Sequence, residues 1–305
     1  MRRRVLLGSM LGLGVGATGT AGWAYDRFLR VKVIATDVSA AESEEDEIAV
    51  DQASATTTAT TYSSDTAQIE IEAFSSGSGS DALAWYVARI STNDPRVVRA
   101  AFAQDSAGQN ITETPSEIAA DHDAVLAING DYYGFRDTGI VIRNGVIYRD
   151  RGARDALVLY TDGRVEIVDE TSTSADELLA DGAWNVLSFG PAVVRDGVVP
   201  DGVDEVEVDT NPGNHSIQGH QPRTAVGVRE NGDLVFMVVD GRAEGYSAGV
   251  TLPALGQMLL DEDCVVGYNL DGGGSSTMVF QGELVNRPRG KNEERGTSDI
   301  LYVAG

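Results

Sequence analysis

The stretch Tyr268-Asn269-Leu270-Asp271-Gly272-Gly273-Gly274-Ser275-Ser276-Thr277-Met278 limits most tightly what this chain can fold into. An apolar run from Cys264 to Leu270 reads as a short buried strand, and it ends abruptly in a carboxylate and three glycines. Such a strand must stop at an open loop, because successive glycines weaken a ladder and cost conformational entropy to order. They also permit positive φ and let backbone amides approach a ligand. Ser275, Ser276 and Thr277 add hydroxyls that donate or accept hydrogen bonds. A carboxylate beside exposed amides and hydroxyls suits a site for a sugar or an oxyanion. A serine-capped tight turn is the structural alternative.

Three other segments repeat the pattern of an apolar strand ending in chemistry-bearing residues. Leu126-Ala127-Ile128 runs into Asn129-Gly130-Asp131-Tyr132-Tyr133-Gly134. Gln221-Pro222-Arg223-Thr224 sets an arginine at the head of an apolar run, and residues 234–239 end in Asp240-Gly241-Arg242. Together these offer parts for cleaving a sugar linked through its anomeric oxygen to phosphate. As the C1–O bond breaks, the sugar gains oxocarbenium character and the phosphate gains negative charge. Carboxylates serve the sugar side, and Asp131, Asp240 and Asp271 stand near strand ends. Arginine serves the phosphate side through its planar fork, and Arg223 and Arg242 are available. The amides of Gly272, Gly273 and Gly274 can share that task. Phosphate is already a good leaving group, so a strong general acid is less necessary than for an ordinary glycoside.

These four segments, with Phe189-Gly190-Pro191 and Glu294-Arg295-Gly296-Thr297-Ser298-Asp299, resemble the phosphodiester glycosidase family in order and from about residue 67 onward. The resemblance implies a hydrolase of sugar-1-phosphodiesters, with α-linked N-acetylglucosamine as the sugar. The residues expected to carry catalysis are Asp271, Asp240 and Arg223. Those expected to bind substrate are Asn129, Gly130, Asp131, Thr224, Arg242, Gly272, Gly273, Gly274, Ser275 and Ser276. Asn129 and Asp131 serve equally well as loop supports, and Asp240 as a turn carboxylate. Two other classes share these residues: a glycan-binding protein without turnover, and a transferase passing sugar phosphates between polymers. Retention of both the acids and Arg223 favours the hydrolase over the binder, since a lectin needs no fixed guanidinium for a departing phosphate.

Composition bounds the partners. With 47 acids against 23 Lys and Arg, a formal charge of −24 and a pI near 4.3, the chain is no polyanion binder overall, which argues against nucleic acid. Any phosphate must be recognised locally. The single cysteine, Cys264, excludes an internal disulfide and reads as a buried thiol. His215 and His220 have a spacing that zinc accepts, but no third ligand accompanies them, so no metal and no cofactor is expected.

At the N-terminus, Arg2, Arg3 and Arg4 precede an uncharged stretch from Val5 to Tyr25. This reads as an export signal retained as a membrane anchor, with a cleaved signal as the alternative. Gly14-Val15-Gly16-Ala17-Thr18-Gly19 fits the dinucleotide fingerprint but follows no strand, so nucleotide binding is not read from it. Residues 37–66, rich in Ala, Ser, Thr and acids, lack apolar periodicity and read as a solvated tether. The expected organisation is thus anchor 1–36, tether 37–66 and one catalytic domain 67–305, held outside the cell membrane and facing cell-envelope or exopolysaccharide glycans.

Within the domain, residues 68–74 alternate apolar and acidic as a half-buried strand does. Strands are expected at 83–90 and 97–102, separated by a turn at Asp94-Pro95. Hairpins are expected at 140–148, turning on Asn144-Gly145, and at 157–168. Helices are expected to start at Thr114-Pro115, Ser174 and Thr251. Many hairpins and few helices predict an α+β domain of mixed, largely antiparallel sheet.

Overall fold

A computed structural model describes residues 25–27, 29–42, 55–208 and 216–305. The uncharged stretch before Tyr25, residues 43–54 of the expected tether, and His215 lie outside the described residues. Among those described, no helix is long and apolar enough to cross a membrane.

The framework is an eight-stranded sheet in the order Ala192–Val194, Cys264–Asn269, Arg223–Arg229, Leu234–Val239, Leu83–Thr92, Ala67–Ser76, Thr61–Ser63, Thr56–Thr57. A five-stranded sheet is ordered Glu283–Leu284, Met278–Phe280, Ala124–Asn129, Asp299–Ala304, Val98–Phe102. Another five-stranded sheet runs Val146–Arg149, Val141–Arg143, Ala183–Leu187, Asp155–Tyr160, Val165–Asp169. Neighbouring strands pair antiparallel throughout these sheets. The α+β expectation therefore holds, and sheet dominates.

Alternation along Leu234–Val239 explains why this central strand is apolar throughout. Leu234, Phe236 and Val238 join a core with Ile69, Ile90, Leu126, Ile128, Met278 and Leu301 between the eight-stranded and first five-stranded sheets. Val235, Met237 and Val239 turn the other way, onto Leu252, Leu255 and Leu259 of the helix Leu252–Asp261. A strand covered on both faces has no position for a polar side chain. Gly227 and Gly267 lie opposite each other, and a Cβ on either would meet the Leu259 side chain within 3.0 Å. They let the helix seat against the sheet.

The expected helix starts form as their capping chemistry requires. Thr114 makes a reciprocal capping box with Glu117, Pro115 sits in the first turn, and Thr251 accepts from the Ala254 amide. The hairpin at Asn144-Gly145 turns with φ of 49° and 80° at those residues.

The domain boundary differs from expectation. Lys32–Thr36, placed in the anchor, pairs with Ser106–Gln109. Val38 is buried beside Phe102 and Tyr133, and Glu42 accepts from Asn144 Nδ2 and Tyr148 Oη. Thr56–Thr57 and Thr61–Ser63, placed in the tether, extend the eight-stranded sheet, and Tyr62 is buried in its core. Of these short Thr-rich edge strands, Thr56–Thr57 is exposed and Thr61–Ser63 buries only Tyr62, so they leave little periodic signal in the sequence.

Candidate active site

The ends of three neighbouring strands open into one cleft of about 370 Å³. Cys264–Asn269 delivers Leu270, Asp271, Gly272 and Gly273, the head of Arg223–Arg229 delivers Gln221, Pro222 and Arg223, and Arg242 follows Leu234–Val239. The opposite wall holds Tyr132, Phe135, Arg136 and Phe189, and Arg295 closes one side.

Asp271 is the one carboxylate among the described residues lining this cleft. Its Oδ2 accepts from Ser275 Oγ at 2.6 Å and pairs with Arg295 at 3.3 Å. Its backbone carbonyl accepts from Asn129 Nδ2 at 2.7 Å. Burial pushes the Asp271 carboxyl above the ordinary range, against the pull of Arg295 and the Ser275 hydroxyl. Gly273 adopts φ of 63°, and a Cβ there would lie 3.4 Å from the Arg242 guanidinium, so the loop passes directly beneath that side chain.

Arg223 is 2% exposed. Its Nε donates to the Val250 carbonyl at 3.1 Å, and its Nη2 donates to the carbonyls of Ile217 at 2.7 Å and Gly219 at 2.9 Å. No carboxylate pairs with it among the described residues. Burial, followed by repulsion from Arg242, lowers its pKa to about 10. A guanidinium is buried this deeply only when hydrogen-bonded or paired. Here three carbonyls fix its orientation while its charge stays uncompensated at the cleft wall. Arg242, itself at φ 56°, donates through Nε to Gln221 Oε1 at 2.7 Å. A non-glycine residue in that region is held there by its surroundings.

The aromatic wall was not foreseen from the sequence. The rings of Tyr132 and Phe135 stack 4.7 Å apart, and the Arg136 guanidinium lies 5.3 Å from the Tyr132 centroid and 4.6 Å from that of Phe189. The aromatic density of Tyr132-Tyr133-Gly134-Phe135-Arg136 was the available signal. Arg295 stood in a segment quoted for the resemblance, without a role.

Several expected site residues stand behind the cleft instead. Asp240, expected to be catalytic, is 2% exposed and accepts from Asn286 Nδ2 (2.7 Å), Tyr246 Oη (2.7 Å) and the Arg287 amide (2.9 Å). It clamps two loops and does not line the cleft. Asp131 is buried, paired with Arg143 at 3.0 Å, and accepts from the amides of Tyr133 and Ser188. Burial alone would raise its pKa, but Arg143 and those amides hold it down. Asp299, 2.8 Å from the same guanidinium, is pushed up to about 8 by burial, so this two-carboxylate, one-arginine cluster favours holding one proton. Asn129 is fully buried, accepting from Thr224 Oγ1 and the Thr277 amide while holding the Asp271 backbone. It and Thr224 position the loop. Gly130 has no room for a Cβ against Asp299. Ser276 is buried, and Gly274 lies beside Arg295. His220 Nδ1 donates to the Gly249 carbonyl at 3.0 Å, outside the cleft. No group of three His, Cys, Asp or Glu among the described residues is placed to hold a metal.

Comparison with known proteins follows the same geometry. A family model described as phosphodiester glycosidase matches residues 122–304, well over half of the chain. A SPbeta prophage-derived protein of Bacillus subtilis (strain 168), YomE, is 32% identical over 65% of this chain and 30% of its own length. The Bos taurus N-acetylglucosamine-1-phosphodiester alpha-N-acetylglucosaminidase is 40% identical over 26% of this chain and 15% of its own. The chain thus spans less than a third of the curated relatives it matches. The catalytic domain of the zebrafish enzyme of that name superposes with a TM-score of 0.64 at 23% identity, covering 78% of this chain and 83% of that one. At that identity the likeness speaks for the fold. With the matched segment carrying Asp271, Arg223 and the glycine loop, the chain belongs to the phosphodiester glycosidase family.

Proposed function

We propose that the cleft hydrolyses a sugar-1-phosphodiester, with the sugar against the aromatic wall and the phosphate against Arg223 and Arg242. The observation that carries this reading is Arg223: a buried cation, fixed by three carbonyls and without a carboxylate partner among the described residues, lining the same cleft as Asp271. An anionic group entering the cleft compensates that charge where displaced water cannot. Tyr132 and Phe189 give the sugar a broad apolar surface, and Arg136 stiffens it from the side.

In the reaction the bond between C1 and the bridging oxygen breaks. Its electron pair leaves with the phosphate, which the arginines and the amides of the glycine loop stabilise. Asp271 faces the developing positive charge at C1, water adds there, and its proton is lost to solvent or to the departing phosphate. Ordinary glycosidases use two carboxylates, one of them to protonate the leaving group. Here Asp271 stands alone among the described lining residues, which suits a leaving group that needs no proton.

The substrate sugar is read as α-linked N-acetylglucosamine, supported by the activity for which the bovine relative is named. The uncharged N-terminal run after three arginines supports export and tethering outside the membrane, with envelope or exopolysaccharide glycans as substrates. Incubating the chain from Tyr25 onward with a panel of sugar-1-phosphodiesters tests the reading. Release of free sugar supports it, and tight binding without release assigns a glycan-binding role instead. Activity in washed membranes of cells making the full chain tests the tether.

A further inference from the structure

The cations of this acid-rich chain are mostly spoken for. Arg89, Arg96, Arg164 and Arg229 each contact a carboxylate. One rim of the cleft departs from that rule at Arg287 and Lys291. Arg287, Arg289, Lys291 and Arg295 fall within nine residues, and all four are exposed. The turn they occupy packs against both neighbouring cleft loops. Pro288–Gly290 touches the turn Gly273–Ser275, and a Cβ on Gly290 would come within 2.6 Å of the Ala243 side chain, next to Arg242. The Arg287 guanidinium lies 4.6 Å from the centroid of Tyr246, on that same loop.

The carboxylates of this region neutralise it only in part, since Asp271 pairs with Arg295 at 3.3 Å. Glu294 accepts from the Ser116 amide at 2.9 Å, and Glu293 reaches only Arg289, at 3.6 Å between two exposed side chains. Glu244 is the one acid on the loop 241–247. Arg242, Arg287 and Lys291 have no carboxylate partner among the described residues. Unpartnered cations thus extend from the phosphate side of the cleft along one edge, in a protein whose formal charge is −24.

We propose that this rim is a second anion subsite, which takes the next phosphate along the departing chain. The preferred substrate is then a glycan polymer with repeated phosphodiesters, cut within the chain, and not an isolated sugar phosphodiester. This rests on the sugar-1-phosphodiester reading of the cleft. Position supports it: a rim continuous with Arg242 meets the leaving side of the scissile bond, while the rings of Tyr132, Phe135 and Phe189 are left to the sugar. It also reconciles a polyanionic substrate with an acidic protein, because the rest of the surface repels the polymer and only this edge admits it.

The test compares a single-unit α-N-acetylglucosamine-1-(methyl phosphate) with an oligomer of about four N-acetylglucosamine-1-phosphate units. Two exposed charges facing a flexible anion are expected to raise kcat/KM for the oligomer about tenfold at low salt, and the gain should vanish near 1 M salt. The double variant Arg287→Gln with Lys291→Gln should lose that gain while cleaving the single unit at the wild-type rate. Equal kcat/KM for the two substrates, or a gain indifferent to salt and to both substitutions, overturns the second subsite and leaves the primary reading standing. An RNA oligonucleotide of equal charge that competes as well as the glycan oligomer overturns it too, showing a surface for any polyanion. If neither the single unit nor the oligomer is cleaved, the primary reading fails first and the subsite falls with it.

Discussion

Replacing Asp271 by Asn separates chemistry from stability at one atom. The change keeps the side-chain volume, and the remaining Oδ1 can still accept from Ser275, which now sits 2.6 Å from the carboxylate. It removes the negative charge facing C1. A unit charge about 4 Å from developing positive charge, at an effective dielectric constant near 20, contributes about 4 kcal/mol. That corresponds to a rate loss of about 10³-fold. Stability should move the other way. The Asp271 carboxyl titrates above its ordinary value because it is buried, so the folded chain holds that proton more tightly than the unfolded chain. The stability linked to this group is therefore present below the ordinary Asp value and is lost as pH rises through the raised one. The uncharged Asn escapes that loss. Arg295 loses a partner, but its side chain is 50% exposed and the pair contributes little. Asp271→Asn should thus melt at or above the wild-type temperature at pH 8, and the difference should narrow toward about pH 4. Free-sugar release and thermal melts across pH read both quantities. A variant retaining more than about a tenth of the wild-type rate loses less than about 1.4 kcal/mol, which would remove Asp271 from the charge-stabilising role. A variant melting well below wild type at pH 8 would show that the carboxylate is structural.

Three further outcomes follow from the same geometry. Arg223→Lys cannot reproduce a fork held by three carbonyls, so kcat/KM should fall about 10²-fold, and inorganic phosphate should inhibit the variant less than the wild type. Equal phosphate inhibition would make Arg223 purely structural. Asp240→Asn disturbs an acceptor of three hydrogen bonds, so it should cost about 2 kcal/mol and several degrees of Tm while keeping kcat within about tenfold of wild type. A large kcat loss at unchanged Tm would return Asp240 to the chemistry. Removing all residues before Ala67 deletes three strands, buried Tyr62 and the Val38 contact, so Tm should fall by about 10 °C, whereas removing residues 1–24 should leave it unchanged. Equal melts for the two truncations would refute the revised boundary.

The sequence by itself determined the elements whose cause is local. The capping residues at Thr114 and Thr251, the Asn144-Gly145 hairpin and the alternation of residues 68–74 each act within a few residues, and each formed as read. The strand ending at Asp271 and the glycine loop were legible for the same reason, since a strand terminus is written where it occurs. Which strand-end acids face the cleft was not legible. Asp131, Asp240 and Asp271 carry the same local signature, an apolar strand followed by small or polar residues. Only the tertiary structure gave Asp131 to Arg143 and Asp240 to Asn286 and Tyr246, partners 12 and 46 or fewer residues away in sequence but adjacent in space. The aromatic wall assembles Tyr132 with Phe189, and the basic rim joins Arg242 to Arg287, through loop packing that no periodicity encodes. The edge strands before Ala67 were hidden because short half-exposed strands have too few buried positions to mark. Local free energies are written in neighbouring residues; the solvation and pairing of a charge depend on whatever the fold brings to it.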